Sequence, residues 1–348
     1  MRGIVLVGTS PTRPGAIGTL WRLEHGSKEF KPVEGIPQDT WAVEVTPHPE
    51  KPNVVFAATK AGIFKSEDEG RTWTKKFAAE GKGFWSVVFD PKNANRLVAG
   101  TAPVDFYISE DGGETWTKSF CDQKERFTIS FGGSRAMRIA FHPTNPNILY
   151  AGAEINGLLV STDGGKTWHD ANEGVLELSR QEKYQHIEVT KDGDPSEGMH
   201  DAHAVMTTPA NPDAVYYACR MGVFTSDDLG KTLKDLEVGK YAPFKYTRDL
   251  RFNPQDPNKL YVCFSISSRS EAGAMFRSPD LGRSWERFFP QENARSTIMG
   301  FGTHVTEPGG VAAVTRHFQV FYTMDDGRSW NEVRLPDTAG DGFCATIL

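Results

Sequence analysis

The sequence has little that would tie it to nucleic acid, a membrane or an oxidising exterior. Across 348 residues no run of Lys or Arg exceeds two, and acidic residues outnumber basic ones 45 to 39, a net charge of −6. Nucleic-acid backbones are bound through basic patches or stripes, so nucleic acid is not an expected partner. The longest apolar stretch near the N-terminus, residues 4–7, is shorter than a signal-peptide core or a spanning helix. No membrane partner is expected, and the expected location is cytoplasmic. The four cysteines, Cys121, Cys219, Cys263 and Cys344, lack CxxC spacing, and no Asn-x-Ser/Thr sequon occurs. Scattered thiols of this kind fit a reducing compartment better than a disulfide framework.

What the sequence does have is 34 Gly and 21 Pro spread along a chain that is 38% hydrophobic and 11% aromatic. That is enough apolar surface for a large core and too much for a disordered chain. The even punctuation implies many short turns, and it has a period. Six segments share one pattern: SEDEGRTW at 66–73, SEDGGETW at 109–116, STDGGKTW at 161–168, SDDLGKTL at 226–233, SPDLGRSW at 278–285 and TMDDGRSW at 323–330. Their starts lie 43, 52, 65, 52 and 45 residues apart. Each follows a β-rich run, and five are preceded by a strand ending in a Pro turn: 41–47, 85–91, 137–143, 203–209 and 248–254. Strand, turn, strand, loop, strand, Asp turn, strand is a four-stranded antiparallel meander. Units of this kind at about 40–50 residues are propeller blades.

The ends fix the expected count. Counting back from Ser66 reaches a degraded copy in residues 19–30, preceded by too few strands for a whole blade, while residues 342–348 read as an unclaimed inner strand. The expectation is an all-β, seven-bladed propeller in which the C-terminal strand completes the N-terminal blade and removes exposed edges. Blade 1 is then 342–348 plus 2–32, and blades 2 to 7 are 40–76, 84–119, 135–170, 200–236, 246–288 and 299–334.

The eight-residue motif resembles the Asp-box, or BNR repeat, of the sialidase-like propellers (WD40/YVTN/BNR-like), a class that includes xyloglucanases, sortilin-type receptors and photosystem II assembly factors. Its Asp and Ser oxygens suit a tight turn, its Gly a positive φ and its Trp an apolar plug, so the motif itself is read as scaffold. The resemblance implies a glycosidase-like or other hydrolase or lyase, or a non-catalytic scaffold like the assembly factors. The sialidase string Phe/Tyr-Arg-Ile-Pro has its nearest counterpart in Met137-Arg138-Ile139-Ala140, in another blade and without Pro. Xyloglucanases pair two such propellers around a cleft with two carboxylates.

Spacing points to a working face. The excess residues lie in 117–134, 173–201, 238–246 and 264–274, all on the face opposite the Asp-boxes, and insertions gathered on one face mark a binding face. Aligning the inner strands on their terminal Pro puts Trp41, Trp85, Met137, His203 and Arg248 at one position on the rim of the central channel. The ends of the second strands add Lys60, Glu154, Arg220 and Arg316, and Arg138 lies nearby. Aromatic faces with converging guanidiniums suit a sugar ring or a small anion. Trp41, Trp85, Arg138, Arg220, Arg248, Arg316 and Lys60 are therefore the expected substrate-binding set, with Glu154, Asp201 and His203 expected to move protons. Arg138 with Asp249 and Glu44 with Arg251 are alternatively structural ion pairs.

His200, His203 and His304 form a further candidate set for a divalent metal, although no cofactor is required by the sequence. Three readings stand: a hydrolase or lyase acting on a small anionic or sugar-like substrate, a scaffold binding a protein or glycan through the top face, and a metal-dependent hydrolase or lyase.

Overall fold

The computed structural model describes residues 3–123, 133–184, 200–242, 245–289 and 294–348. Seven antiparallel sheets stand around a central axis, and in blade 1 the order is Asp341–Ile347, Val5–Ser10, Leu20–Leu23, Lys31–Pro32. The innermost strand of that blade is thus the last strand of the chain, paired with Val5–Ser10 from Val5↔Ile347 to Ser10↔Asp341. One blade departs from four strands. Phe120–Cys121, in the connection after blade 3, adds a fifth strand to blade 4 by pairing in parallel with its outer strand, Thr167–Asp170.

Successive side chains of a strand point to opposite faces, so a blade packed between two neighbours is apolar on both. Among the described residues the buried apolar side chains form seven clusters, one at each blade interface. The ring, rather than any single sheet, is the unit that buries surface.

In blades 2 to 7 two turns close the lower face, and each repeats one local solution. In the Asp-box of blade 2, Gly70 N–H donates to Ser66 Oγ (2.9 Å), Thr72 N–H and hydroxyl donate to the two oxygens of Asp68 (2.9 and 2.7 Å), and Trp73 Nε1 donates to Gly70 O (3.0 Å). Gly70 has φ +81°, and a Cβ there would also strike Leu6. In the same six blades the turn after the inner strand is also capped in one way. The side chains of His48, Asp90, His142, Thr208, Asn253 and His304 accept a backbone N–H two residues on.

This second turn corrects the alignment of the inner strands. Blade 2 carries both Pro47 and Pro49, and the capping position places Pro49, not Pro47, with Pro91 and Pro143. The register agrees, since Pro47↔Val55 matches Phe89↔Leu97 and Phe141↔Leu149. Val43 therefore shares the position of Trp85, while Trp41 stands two residues higher with Arg135 and Tyr246.

At that position the pairing skips a residue in six inner strands, at Val43, Trp85, Met137, Arg248, Met299 and Phe343. Bulges of this kind re-aim side chains. Together with His203 these residues form a ring, one from each blade, around a cavity of only about 10 Å³. The channel is plugged at this level.

Candidate functional site

Directly beneath the ring lies a buried charge cluster that joins three blades. Arg138 of blade 4 meets Glu44 of blade 2 (3.5 Å) and Asp249 of blade 6 (3.3 Å), and Arg251 meets the same two carboxylates (3.5 and 3.4 Å). Burial opposes the charge of Asp249, yet Arg138 and Arg251 hold its carboxyl below the usual range. The same pairing holds the Arg138 guanidinium above its ordinary value despite burial. Arg138 is thus a structural ion pair inside the plug and not a ligand group at the mouth, which corrects the first expectation for this residue.

Above the ring the channel opens into a cavity of about 520 Å³ lined by Trp41, Lys60, Arg135, Glu154, Asp201, Arg220, Tyr246, Arg248, Arg269, Arg316 and Phe343, with Thr12, Ser268 and Met299. The residue after each second strand supplies Lys60, Glu154, Arg220 and Arg316. In three blades it is held alike, with Lys60, Glu154 and Arg316 N–H donating to Trp41, Arg135 and Thr297 carbonyls (2.8–2.9 Å).

Six cationic side chains face two carboxylates here, and both carboxylates are spoken for. Glu154 takes the Arg135 guanidinium (2.8 Å) and Asp201 takes Arg220 Nε (2.7 Å). Arg316 is anchored from outside the cavity by Asp341 (3.1 Å) and donates to Ser268 O (2.7 Å). Among the described residues Lys60, Arg248 and Arg269 have no ion pair. Arg248 is 6% exposed and its guanidinium carbon lies 5.7 Å from the Phe343 ring centroid. Lys60 Nζ sits 3.8 Å from the centre of the Trp41 indole. The cations feel one another. Burial lowers the pKa of Arg316, Asp341 offsets part of this, and Arg269 and Arg248 lower it further.

The residues expected to move protons are tied down. Asp201 accepts from Ile155 N–H (3.0 Å), His203 Nε2 (3.2 Å) and Arg220, and burial is outweighed by His203 and Arg220, which hold its carboxyl well below the usual range. His203 is fully buried behind it, with Nδ1 2.6 Å from Thr247 O and Nε2 on the carboxylate. Both ring nitrogens face acceptors, which places the ring as a brace for Asp201 and corrects the proton-transfer role expected at the mouth. Trp85 is likewise corrected from pocket wall to packing. It is 1% exposed, tilted against Trp41 and edge-on to Phe343, with the Arg135 guanidinium carbon 4.3 Å from its ring centroid.

The metal set does not assemble. His304 caps the turn after the inner strand Ile298–Thr303, on the lower face beside His48, donors arriving from Thr306 and Glu307 N–H (3.1 Å each). His200 Nε2 meets Ser179 Oγ (3.1 Å). No group of three His, Cys, Asp or Glu among the described residues is placed to hold a metal.

The insertions contribute unevenly. The blade 6 loop supplies Ser268 and Arg269, whereas in 173–201 the helix Glu173–Ser179 packs Val175 and Leu178 between blades 4 and 5, and residues 185–199, His186 among them, lie outside the described residues. Arg135, Tyr246, Arg269 and Phe343 were not expected from the sequence. Aligning on Pro49 would have found the first two, because it sets Trp41, Arg135 and Tyr246 at one level.

The family model described as Sortilin, neurotensin receptor 3 (Sortilin-Vps10) matches residues 61–194, less than half the chain. No curated protein sequence matches. Among solved structures, the chain is similar to a GH74 enzyme from Niastella koreensis (17% identity, TM-score 0.62) and the GH74 xyloglucanase from Xanthomonas campestris (15%, 0.62). Each comparison covers 84% of this chain and 45% of the other, so this chain spans under half the length of those enzymes. YCF48 from Cyanidioschyzon merolae is similar at 13% identity and TM-score 0.56, over 84% of each chain. Repeat, closure and these likenesses agree: in fold the chain is a seven-bladed propeller of the sialidase-like/WD40 class.

Proposed function

We propose that the mouth of the central channel binds a small anion with an apolar or sugar-like body, such as a carboxylate or sugar acid. The observation that carries this reading is the charge imbalance of the cavity, six cations to two carboxylates in a chain of net charge −6. Arg220, Arg135 and Arg316 are pre-oriented by their carboxylates, and Arg248 and Arg269 are left to meet a ligand with forked donors. Trp41, Tyr246 and Phe343 offer faces to its body.

Glycosidases share this fold through the GH74 enzymes, but carboxylate-driven hydrolysis needs one carboxyl raised above the usual range as the acid. Asp201 is moved in the opposite direction and Glu154 is bound to Arg135. The support is therefore stronger for anion recognition than for glycoside hydrolysis by this pair.

A protein partner on the same face is the second reading. It is favoured by Ile266, 66% exposed in the loop that also supplies Arg269. YCF48, similar over 84% of this chain, has been solved bound to a D1 peptide.

The test is thermal unfolding with glucuronate, citrate and phosphate against neutral glucose. A ligand at 100 times its Kd adds about 2.7 kcal/mol, which raises the Tm by a few degrees. Acids should shift the Tm, glucose should not, and the shift should vanish in Arg248→Ala. Equal behaviour of acids and glucose would overturn the reading.

A further inference from the structure

The mouth cations without an ion pair among the described residues stand at two places, not one. Lys60 follows the second strand of blade 2, whereas Arg248 belongs to the inner strand of blade 6 and Arg269 to the loop after that blade's second strand. Inner strands touch in the order of blades 2, 3, 4, 5, 6, 7, 1 and back to 2. Blades 2 and 6 are therefore as far apart as two blades of a seven-membered ring can be.

Both places are built. At blade 2, Lys60 N–H donates to Trp41 O (2.9 Å), and the ammonium lies 3.8 Å from the centre of the Trp41 indole, a contact that favours its charged form. At blade 6, Arg248 is buried, its guanidinium carbon 5.7 Å from the centre of the Phe343 ring. The loop that carries Arg269 is pinned to blade 7. The Thr297 hydroxyl donates to Ser267 O (2.8 Å), Ser270 N–H donates to that hydroxyl (3.1 Å), and Arg316 donates to Ser268 O (2.7 Å).

Between the two places the shorter way round the ring leads through blades 7 and 1, whose inner strands present Met299 and Phe343 to the cavity. Both side chains are apolar and buried. The mouth thus runs from a cation over an apolar floor to further cations. A ligand with one acid group meets one end and leaves the other without an anion, whereas an acid at each end gains a charge-assisted bond at both.

We propose that the mouth recognises dicarboxylates whose acid groups stand at opposite ends of a short carbon chain, one on Lys60 and the other on Arg248 and Arg269. This rests on the anion-binding reading and narrows its ligand class. The guanidiniums take one carboxylate with forked donors, the ammonium takes the other as a point charge, and the chain between them lies on Met299 and Phe343.

The experiment is calorimetric titration of the wild-type chain, at neutral pH and one ionic strength, with malonate, glutarate, adipate, suberate and hexanoate. Adipate and hexanoate have chains of equal length and differ by one acid group, while malonate and the longer diacids have equal charge and differ in span. The expected result is that one of the three longer diacids binds about tenfold tighter, or more, than either hexanoate or malonate. Lys60→Met should bring that diacid down to the level of hexanoate, and Lys60→Arg, which puts a cation back at the same place, should recover the preference. Lys234→Met, in the outer strand of blade 5 and paired with Asp227 (2.8 Å), should leave it as in wild type.

A preference that survives in Lys60→Met, or malonate binding as tightly as the longer diacids, would overturn the proposal. If hexanoate binds as tightly as every diacid, the two-ended inference fails and anion binding stands. If no acid binds, the binding reading fails and the inference falls with it.

Discussion

The two faces of this ring treat the same repeated positions in opposite ways. On the lower face the Asp-box residues recur with nearly the same bond lengths, Asp68, Asp111, Asp163, Asp228, Asp280 and Asp325 each bonding the Thr or Ser four residues on at 2.6–2.7 Å. On the upper face equivalent positions hold Lys60, Glu154, Arg220 and Arg316, and charge is left over. Repetition of one bonded turn is the mark of a scaffold, since a repeat protein needs the same turn in every unit. Departure from repetition, with unmatched cations, is what the anion-binding reading requires of a place where stability is given up for binding.

The largest expected effect comes from the plug between the two faces. Arg138→Met leaves Glu44 and Asp249 buried with only Arg251 beside them, and breaking a buried pair costs about 3–5 kcal/mol. Denaturant unfolding should show that loss, and a loss under 1 kcal/mol would mean the plug is hydrated.

Next, the faces should respond with opposite sign. Ser66→Ala removes the acceptor of Gly70 N–H and should cost about 1–3 kcal/mol while leaving anion stabilisation intact. Arg248→Met removes a buried, unpaired cation, and should raise the ligand-free stability by about 0.5–2 kcal/mol while abolishing anion stabilisation. If both variants lose stability, the contrast between the faces is wrong.

The smallest effect is with pH. Hydrogen bonds from Thr115 lower Asp111 to about 2, and those from Ser329 lower Asp325 to about 2, against about 3.9 in an unfolded chain. A carboxyl with a lowered folded pKa adds stability above the unfolded value and loses it as pH falls through the folded one. Melting temperatures of the Asp111→Asn, Asp325→Asn double variant should lie below wild type at pH 7 and converge with it between about pH 4 and 2.

Blade number and closure were legible because six copies of one turn leave few other ways to bury both sheet faces. The second-strand ends were legible too, since counting residues from an Asp-box locates Lys60, Glu154, Arg220 and Arg316. Trp41 was set level with Trp85 because Pro47 and Pro49 are equally good turn signals two residues apart, and in a strand a two-residue error preserves the side while changing the height. His304 was grouped with His200 and His203 because its turn lacks the Pro that follows the capping residue in blades 2 to 6. The pairs Arg138 with Asp249 and Glu44 with Arg251 were legible as one of two alternatives, and the structure forms both. The brace of His203 against Asp201, two residues away, was not, because it depends on the ring reaching Thr247 O of the next blade.

That closure has a consequence for biosynthesis. Residues 341–347 are made after blades 2 to 7, yet they form the inner strand of the first blade. With them come Asp341, which anchors Arg316, and Phe343, which lies under Arg248. Until that strand docks, a nascent chain has six whole blades and one gapped blade, and no finished mouth. The mouth thus depends on the integrity of the polypeptide: a ribosomal product cut short within the last blade would lack Asp341, Phe343 and the seal of the ring together.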